Sequence, residues 1–274
     1  MAFDLQMALI HATVQLEQPQ GDGTRTVGAG FLIDAPGPDG QPRIVLITAN
    51  HVFEQMPGVE ARIGYRFANP DGSWTYAPTN VAIRDSEGHE LWTHHPDRDI
   101  AAITLTVPDS FARAAIPKVW LAQDDSFDKL AIGPGDEMMA LGFPRGLSAN
   151  AAGFPILRAG RVASYPVSPA RIYGTFLLDF SVFPGNSGGP VFLSDISEQH
   201  NGRRQAKSAQ IIAGLLTQEV QLNNERLGIG IVTHATFIRE TIDLLDRPQA
   251  TEVPGNPTEV AARVSSGVAP GRPE

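Results

Sequence analysis

Phe183-Pro184-Gly185-Asn186-Ser187-Gly188-Gly189-Pro190-Val191 sets one serine among glycines, between strand-like apolar runs at residues 175–182 and 191–193. Glycine takes backbone angles closed to other residues. A turn of this kind can therefore aim consecutive N–H groups at one point, which is how an oxyanion is stabilised. A serine hydroxyl beside such a point is placed as an acyl-transfer nucleophile. Taken alone, the stretch reads equally well as a Gly/Pro/Asn/Ser turn joining two strands.

A serine nucleophile needs a base, commonly a histidine oriented by a carboxylate. Of the seven histidines (His11, His51, His89, His94, His95, His200 and His234), His51 stands out. It closes Ile44-Val45-Leu46-Ile47-Thr48-Ala49-Asn50, which has the character of a buried strand. Residues 27–34 read as its partner, joined through a Pro/Gly/Asp-rich turn at 35–42. Asp99 opens Asp99-Ile100-Ala101-Ala102-Ile103-Thr104-Leu105, a further apolar run, whereas Asp97 lies in turn-like sequence. In isolation His51 reads as a half-buried structural histidine and Asp99 as a strand-entry residue.

The joint order, His51 then Asp99 then Ser187, is that of the chymotrypsin type and not of subtilisins or α/β-hydrolases. Ile47-Thr48-Ala49-Asn50-His51-Val52, Asp99-Ile100-Ala101 and Gly185-Asn186-Ser187-Gly188-Gly189-Pro190 resemble the three signature blocks of trypsin-like serine peptidases. They are similar above all to the HtrA-like (high-temperature-requirement) branch, which has an aspartate eight positions before the serine, as Asp179 stands here. The resemblance covers roughly residues 8 to 246.

That resemblance implies an all-β fold of two antiparallel six-stranded barrels with a C-terminal helix and the active site in the cleft between the barrels. The expected domains are 1–115, carrying His51 and Asp99, and 116–246, carrying Ser187. It implies His51 as general base and acid, Asp99 as the group fixing its tautomer, and Ser187 as nucleophile. The oxyanion hole falls on Gly185, Asn186 and Ser187, with the N–H groups of Gly185 and Ser187 as donors. The specificity pocket falls on Ser181, six before the serine, with Thr217, Gly228 and Gly230. None of these is charged, so an uncharged residue is expected before the scissile bond, and Ile229 and Ile231 are expected on the other face of their strand.

Composition bounds the setting. The chain has 274 residues, 27 glycines and 22 prolines, which with short apolar runs favours a turn-rich β protein. Strand-like runs begin at residue 8 and recur to residue 232, including 119–122; residues 235–245 have helical spacing. Net charge is -9 with no dense Lys/Arg run, against a nucleic-acid role. There are no cysteines, no signal-like N-terminus and no apolar run of membrane-spanning length, giving the expectation of a cytoplasmic chain without membrane partners. No metal or other cofactor is implied. Residues 194–208 read as an exposed loop and 247–274 as a disordered Pro-rich tail, too short for the PDZ domain of the HtrA-like branch. The function expected is a serine endopeptidase acting on protein or peptide substrates, the alternative a pseudo-protease that binds peptides or partners. Asn186 is neutral where digestive trypsins carry an aspartate that pairs with a freed amino terminus. Activation is therefore expected without N-terminal cleavage, any control coming from loop ordering, from assembly as a homo-oligomer or from an activating partner supplied in trans.

Overall fold

The computed structural model describes residues 4–193, 196–200, 203–207, 210–223 and 225–247. The tail expected at 247–274 lies, after Arg247, outside the described residues.

The chain opens with helix α1 (Leu5–Ala12), not with a strand at residue 8. The Asp4 carboxylate accepts from the Met7 N–H at 3.1 Å, an N-cap. Leu5, Leu9 and Ala12 recur at helical spacing and are all buried. Strands β1 (Thr13–Pro19), β2 (Arg25–Asp34), β3 (Ile44–Thr48), β4 (Glu60–Ala68), β5 (Trp74–Ala82), β6 (Thr93–His94), β7 (Ala101–Leu105) and β8 (Ile116–Pro117) follow. They form one sheet in the order β5-β4-β1-β2-β3-β7-β6, with β8 also on β2. Between β3 and β7 lie helix α2 (Asn50–Glu54) and the long β4–β5 hairpin.

A closed first barrel was expected, but among the described residues no ladder joins β5 to β6. The reason is local. The segment between them folds into a tight turn around Asp85 and Gly88, with a single bridge between Arg84 and Glu90, and β6 is only two residues long.

Short helices α3 (Asp109–Ala112) and α4 (Ser126–Lys129) lead to the second sheet, and residues 118–120 make a 3-10 turn where a strand was expected. Here β9 (Glu137–Gly142), β10 (Ile156–Val162), β11 (Thr175–Asp179), β12 (Pro190–Leu193), β15 (Ile211–Leu222) and β16 (Glu225–His234) close into a six-stranded barrel, in the order β10-β11-β16-β15-β12-β9. The segment expected as a loop carries a hairpin instead, β13 (Ile196–His200) with β14 (Arg203–Lys207). Helix α5 (Ala235–Leu244) follows β16 and buries Phe237, Ile238 and Ile242. One continuous apolar core runs through both sheets, from Phe31 and Leu46 to Phe176, Phe192 and Ile212. No described helix is long and apolar enough to cross a membrane.

His234, at the end of β16, is 2% exposed and lies against the rings of Phe127 (4.6 Å) and Phe176 (4.9 Å). Burial pushes its pKa down to about 4. An unfolded histidine binds a proton near pH 6.5, and the folded one refuses it until about pH 4. Folding stability from this residue is therefore complete above pH 6.5 and lost as pH falls toward 4, by about 3 kcal/mol. Denaturant titrations across that window should show this decline in the native chain and a flatter curve in His234→Phe. Equal slopes in the two proteins would show that His234 is not the group responsible.

Candidate active site

His51 is in the first turn of α2, just past β3, rather than at the strand end itself. The helix starts because Ala49 leaves β3 in an extended conformation and its carbonyl accepts from the Val52 N–H at 3.0 Å. Asp99 sits one residue before Ile100, in a turn held by the His95 N–H on the Ile100 carbonyl at 2.9 Å. One carboxylate grips His51 twice. Its Oδ1 accepts from the His51 backbone N–H at 2.9 Å, and its Oδ2 lies 2.6 Å from Nδ1. Burial alone would raise the Asp99 pKa, but hydrogen bonds from the imidazole and the backbone, with the ring's charge, outweigh it and hold the carboxyl below its ordinary range. An ionised Asp99 accepts a hydrogen bond from Nδ1–H, which keeps the proton on that nitrogen and leaves Nε2 with its lone pair toward the cleft.

The serine loop runs from β11 to β12. The Asn186 N–H closes onto the Phe183 carbonyl at 3.0 Å with Gly185 at φ +91°, a type II turn that needs glycine at its third position. The Pro184 carbonyl accepts from the Arg145 N–H at 2.6 Å, and the Asn186 carbonyl from the Gly189 N–H at 3.1 Å. In a trans peptide the N–H points opposite to the C=O. The N–H groups of Gly185 and Ser187 are therefore turned away from those two donors, and neither has a hydrogen-bond acceptor among the described residues. Asn186, the third residue expected in the hole, spends its N–H on the turn. Its side-chain amide is buried against Gly142 with no hydrogen-bond partner among the described residues.

The loop is fixed to the first sheet. The Ala29 N–H of β2 donates to the Ser187 carbonyl at 2.8 Å. Gly188, at φ +89°, lies so close to β2 that a Cβ there would come 2.0 Å from the Ala29 carbonyl oxygen. The Ser187 hydroxyl donates to the Thr217 carbonyl at 2.9 Å.

His51, Ser187 and Thr217 line one cleft of about 750 Å³ together with Val52, Phe183 and Ile231. The other residues expected in the specificity pocket are placed differently. Gly230 pairs with Leu178, and the space beside it is filled by Val182, Leu216 and Phe180. Ile231, expected on the far face, lines the cleft, paired with Gln218 just past the β15 bulge at Thr217. Ser181 and Gly228 adjoin each other, with Ser181 Oγ 3.6 Å from where a Gly228 Cβ would stand, but neither lines the cleft.

Two charged residues that the sequence reading did not place in the pocket line it: Glu219, with its side chain 7% exposed, and Arg226, 3.4 Å from it. Glu219 lies on β15 between two irregularities in its pairing, and Thr217, Gln218 and Val220 line the cleft beside it, so side-chain alternation does not mark it in the sequence. Among the described residues, no group of three or more His, Cys, Asp or Glu is placed to hold a metal ion.

A family model for the trypsin-like peptidase domain matches residues 28–197. Among solved structures, a variant of the HtrA-type protease AlgW with a tripeptide is similar, with a TM-score of 0.53 and 17% identity. That match covers 89% of this chain and 63% of the other, so the chain spans a little under two thirds of it. AlgW with a decapeptide matches at TM-score 0.51 and 16% identity, over 89% of this chain and 67% of that one. At such identities the likeness shows the fold. No curated protein sequence matches the chain. The family match spans well over half of the 274 residues, and the chain belongs to the trypsin-like peptidase domain family.

Proposed function

We propose that the chain is a serine endopeptidase on a chymotrypsin-like frame, its open first sheet standing for the first barrel. Peptide bonds would be hydrolysed through His51, Asp99 and Ser187. The observation that carries this reading is the double grip of Asp99 on His51, in the same cleft as Ser187 and the two unclaimed N–H groups. For reaction, the Ser187 hydroxyl turns from Thr217 to His51. As Oγ bonds to the scissile carbonyl carbon, Nε2 takes its proton. The carbonyl electrons move to oxygen, and the oxyanion is held by the N–H groups of Gly185 and Ser187. His51 then returns the proton to the leaving amine as the C–N bond breaks. Water attacks the acyl ester by the same path. The AlgW structures hold a tripeptide and a decapeptide, which supports a peptide as the class of ligand. The hydroxyl's bond to Thr217 is the observation that favours the second reading, a cleft that binds peptides without turning them over.

The triad acts as a unit, so its losses are not additive. Ser187→Ala, His51→Ala and the double variant should fall to one floor, with kcat for a peptide substrate down by about 10⁶. Asp99→Asn should lose roughly 10⁴, by disturbing the tautomer while keeping shape. Near-normal hydrolysis by Ser187→Ala would remove the serine from the mechanism.

The Glu219–Arg226 pair bears on selectivity. With the carboxylate compensated, the cleft favours an uncharged side chain before the scissile bond. A cation there would be desolvated without a free counter-ion. Arg226→Gln leaves Glu219 unpaired. In a peptide library, cleavage after Lys or Arg should then rise at least about tenfold relative to cleavage after Val or Leu. An unchanged profile would separate Glu219 from substrate selection.

A further inference from the structure

A second cavity, of about 330 Å³, lies between α1, β5 and residues 111–116, and shares no lining residue with the catalytic cleft. Its lining includes two arginines, Arg66 and Arg113, and no acidic residue. In a chain of net charge -9 that local sign is against the average.

Arg66 is only 3% exposed. Its guanidinium donates to the carbonyls of Ile10, His11, Thr13 and Gly153, and lies 5.7 Å and 4.9 Å from the rings of Phe111 and Phe154. Among the described residues no carboxylate pairs with it, and its Nε has no hydrogen-bond partner. Burial pulls its pKa down to about 10, the mark of a cation whose lost hydration is only partly replaced. Arg113 is exposed, and among the described residues its guanidinium has no ion pair or hydrogen bond. The remaining walls are flat or apolar. Trp74 stacks on His11 at 5.1 Å, and Phe111 is buried. The His11 pKa is lowered by burial and then by the Arg66 charge, so the imidazole near neutral pH adds a flat face without a second titrating cation.

We propose that this cavity binds a small organic carboxylate with an aromatic body, its carboxylate on the free Arg113 and its ring against Trp74 and Phe111. The volume is that of a small-molecule site. A guanidinium with no partner is suited to bidentate carboxylate recognition. The buried charge of Arg66, in low-dielectric surroundings, adds attraction for any anion placed there.

The test uses the intact chain and three probes: indole-3-acetate, its uncharged analogue indole-3-acetamide, and acetyl-Gly-Phe with a free C-terminus. Calorimetry should show saturable one-to-one binding of indole-3-acetate, about tenfold or more tighter than the amide. Arg113→Gln, at an exposed position that leaves the fold intact, should abolish that preference. Arg161→Gln, on the other sheet, and Ser187→Ala should keep it. Tighter binding of acetyl-Gly-Phe than of indole-3-acetate would support the site with peptide C-termini as its ligands, and weaker binding would support it with free acids. No saturable binding of either acid, equal affinity for acid and amide, or a preference that survives Arg113→Gln would overturn the proposal.

Discussion

The site depends on the contact between β2 and the serine loop. The Ala29 N–H holds the Ser187 carbonyl, and Thr48 Oγ1 donates to the Ala29 carbonyl at 2.7 Å from the strand that leads into His51. His51 and Ser187, the proposed base and nucleophile, are carried by different sheets, and these bonds fix one against the other. The approach is possible only because residue 188 has no Cβ, since the space one would need is occupied by the Ala29 carbonyl and the Thr48 hydroxyl. Any side chain there would push the loop off β2 and move Ser187 away from His51. Displacements of about an ångström are costly in catalysis.

The same reasoning extends to the proposed oxyanion donors, the N–H groups of Gly185 and Ser187. Their direction is set by what holds the carbonyls on the other side of each peptide. For Gly185 that is the Arg145 N–H, in a residue with a left-handed backbone at φ +54°. The neighbouring Gly146 carbonyl accepts from Gln15 of β1 at 3.1 Å, so the first sheet also steadies the turn that orients these N–H groups. Arg66 ties the far end of that connection, at Gly153, to the end of α1 and the start of β1. Left-handed strain at a non-glycine residue is tolerated when its surroundings over-determine it, and here backbone bonds on both sides do so.

Much of this was legible in the sequence, for identifiable reasons. The glycine pattern around Ser187, the apolar run before His51 and the run after Asp99 are local signals, and local backbone geometry carries their consequences. The second barrel's strands follow the apolar runs to within a few residues, and α5 follows its spacing. What was not legible came from tertiary context. The N-terminal helix was hidden because Ala8 to Leu16 joins the last turns of the helix to the alternating start of β1 (Thr13, Val14, Gln15, Leu16), so the run reads as one strand although helix gives way to strand at Thr13. The open edge of the first sheet depends on how the 83–92 segment turns. The specificity wall was misplaced because alternation along β16 does not say which of its faces meets the cleft: Gly230 packs against Val182, Leu216 and Phe180, so Ile231 takes the cleft side. Glu219 and Arg226 meet only through the β15–β16 pairing.

The central claim is that Ser187 is a nucleophile beside a preformed oxyanion hole, and its most direct test is a crystal structure after reaction with diisopropyl fluorophosphate. The account predicts one adduct, on Ser187 Oγ, with a phosphoryl oxygen about 2.7–3.1 Å from the backbone nitrogens of both Gly185 and Ser187. The Pro184 carbonyl should remain on the Arg145 N–H. An adduct elsewhere, or a Pro184 carbonyl turned into the hole with the phosphoryl oxygen facing away from Gly185, would contradict it.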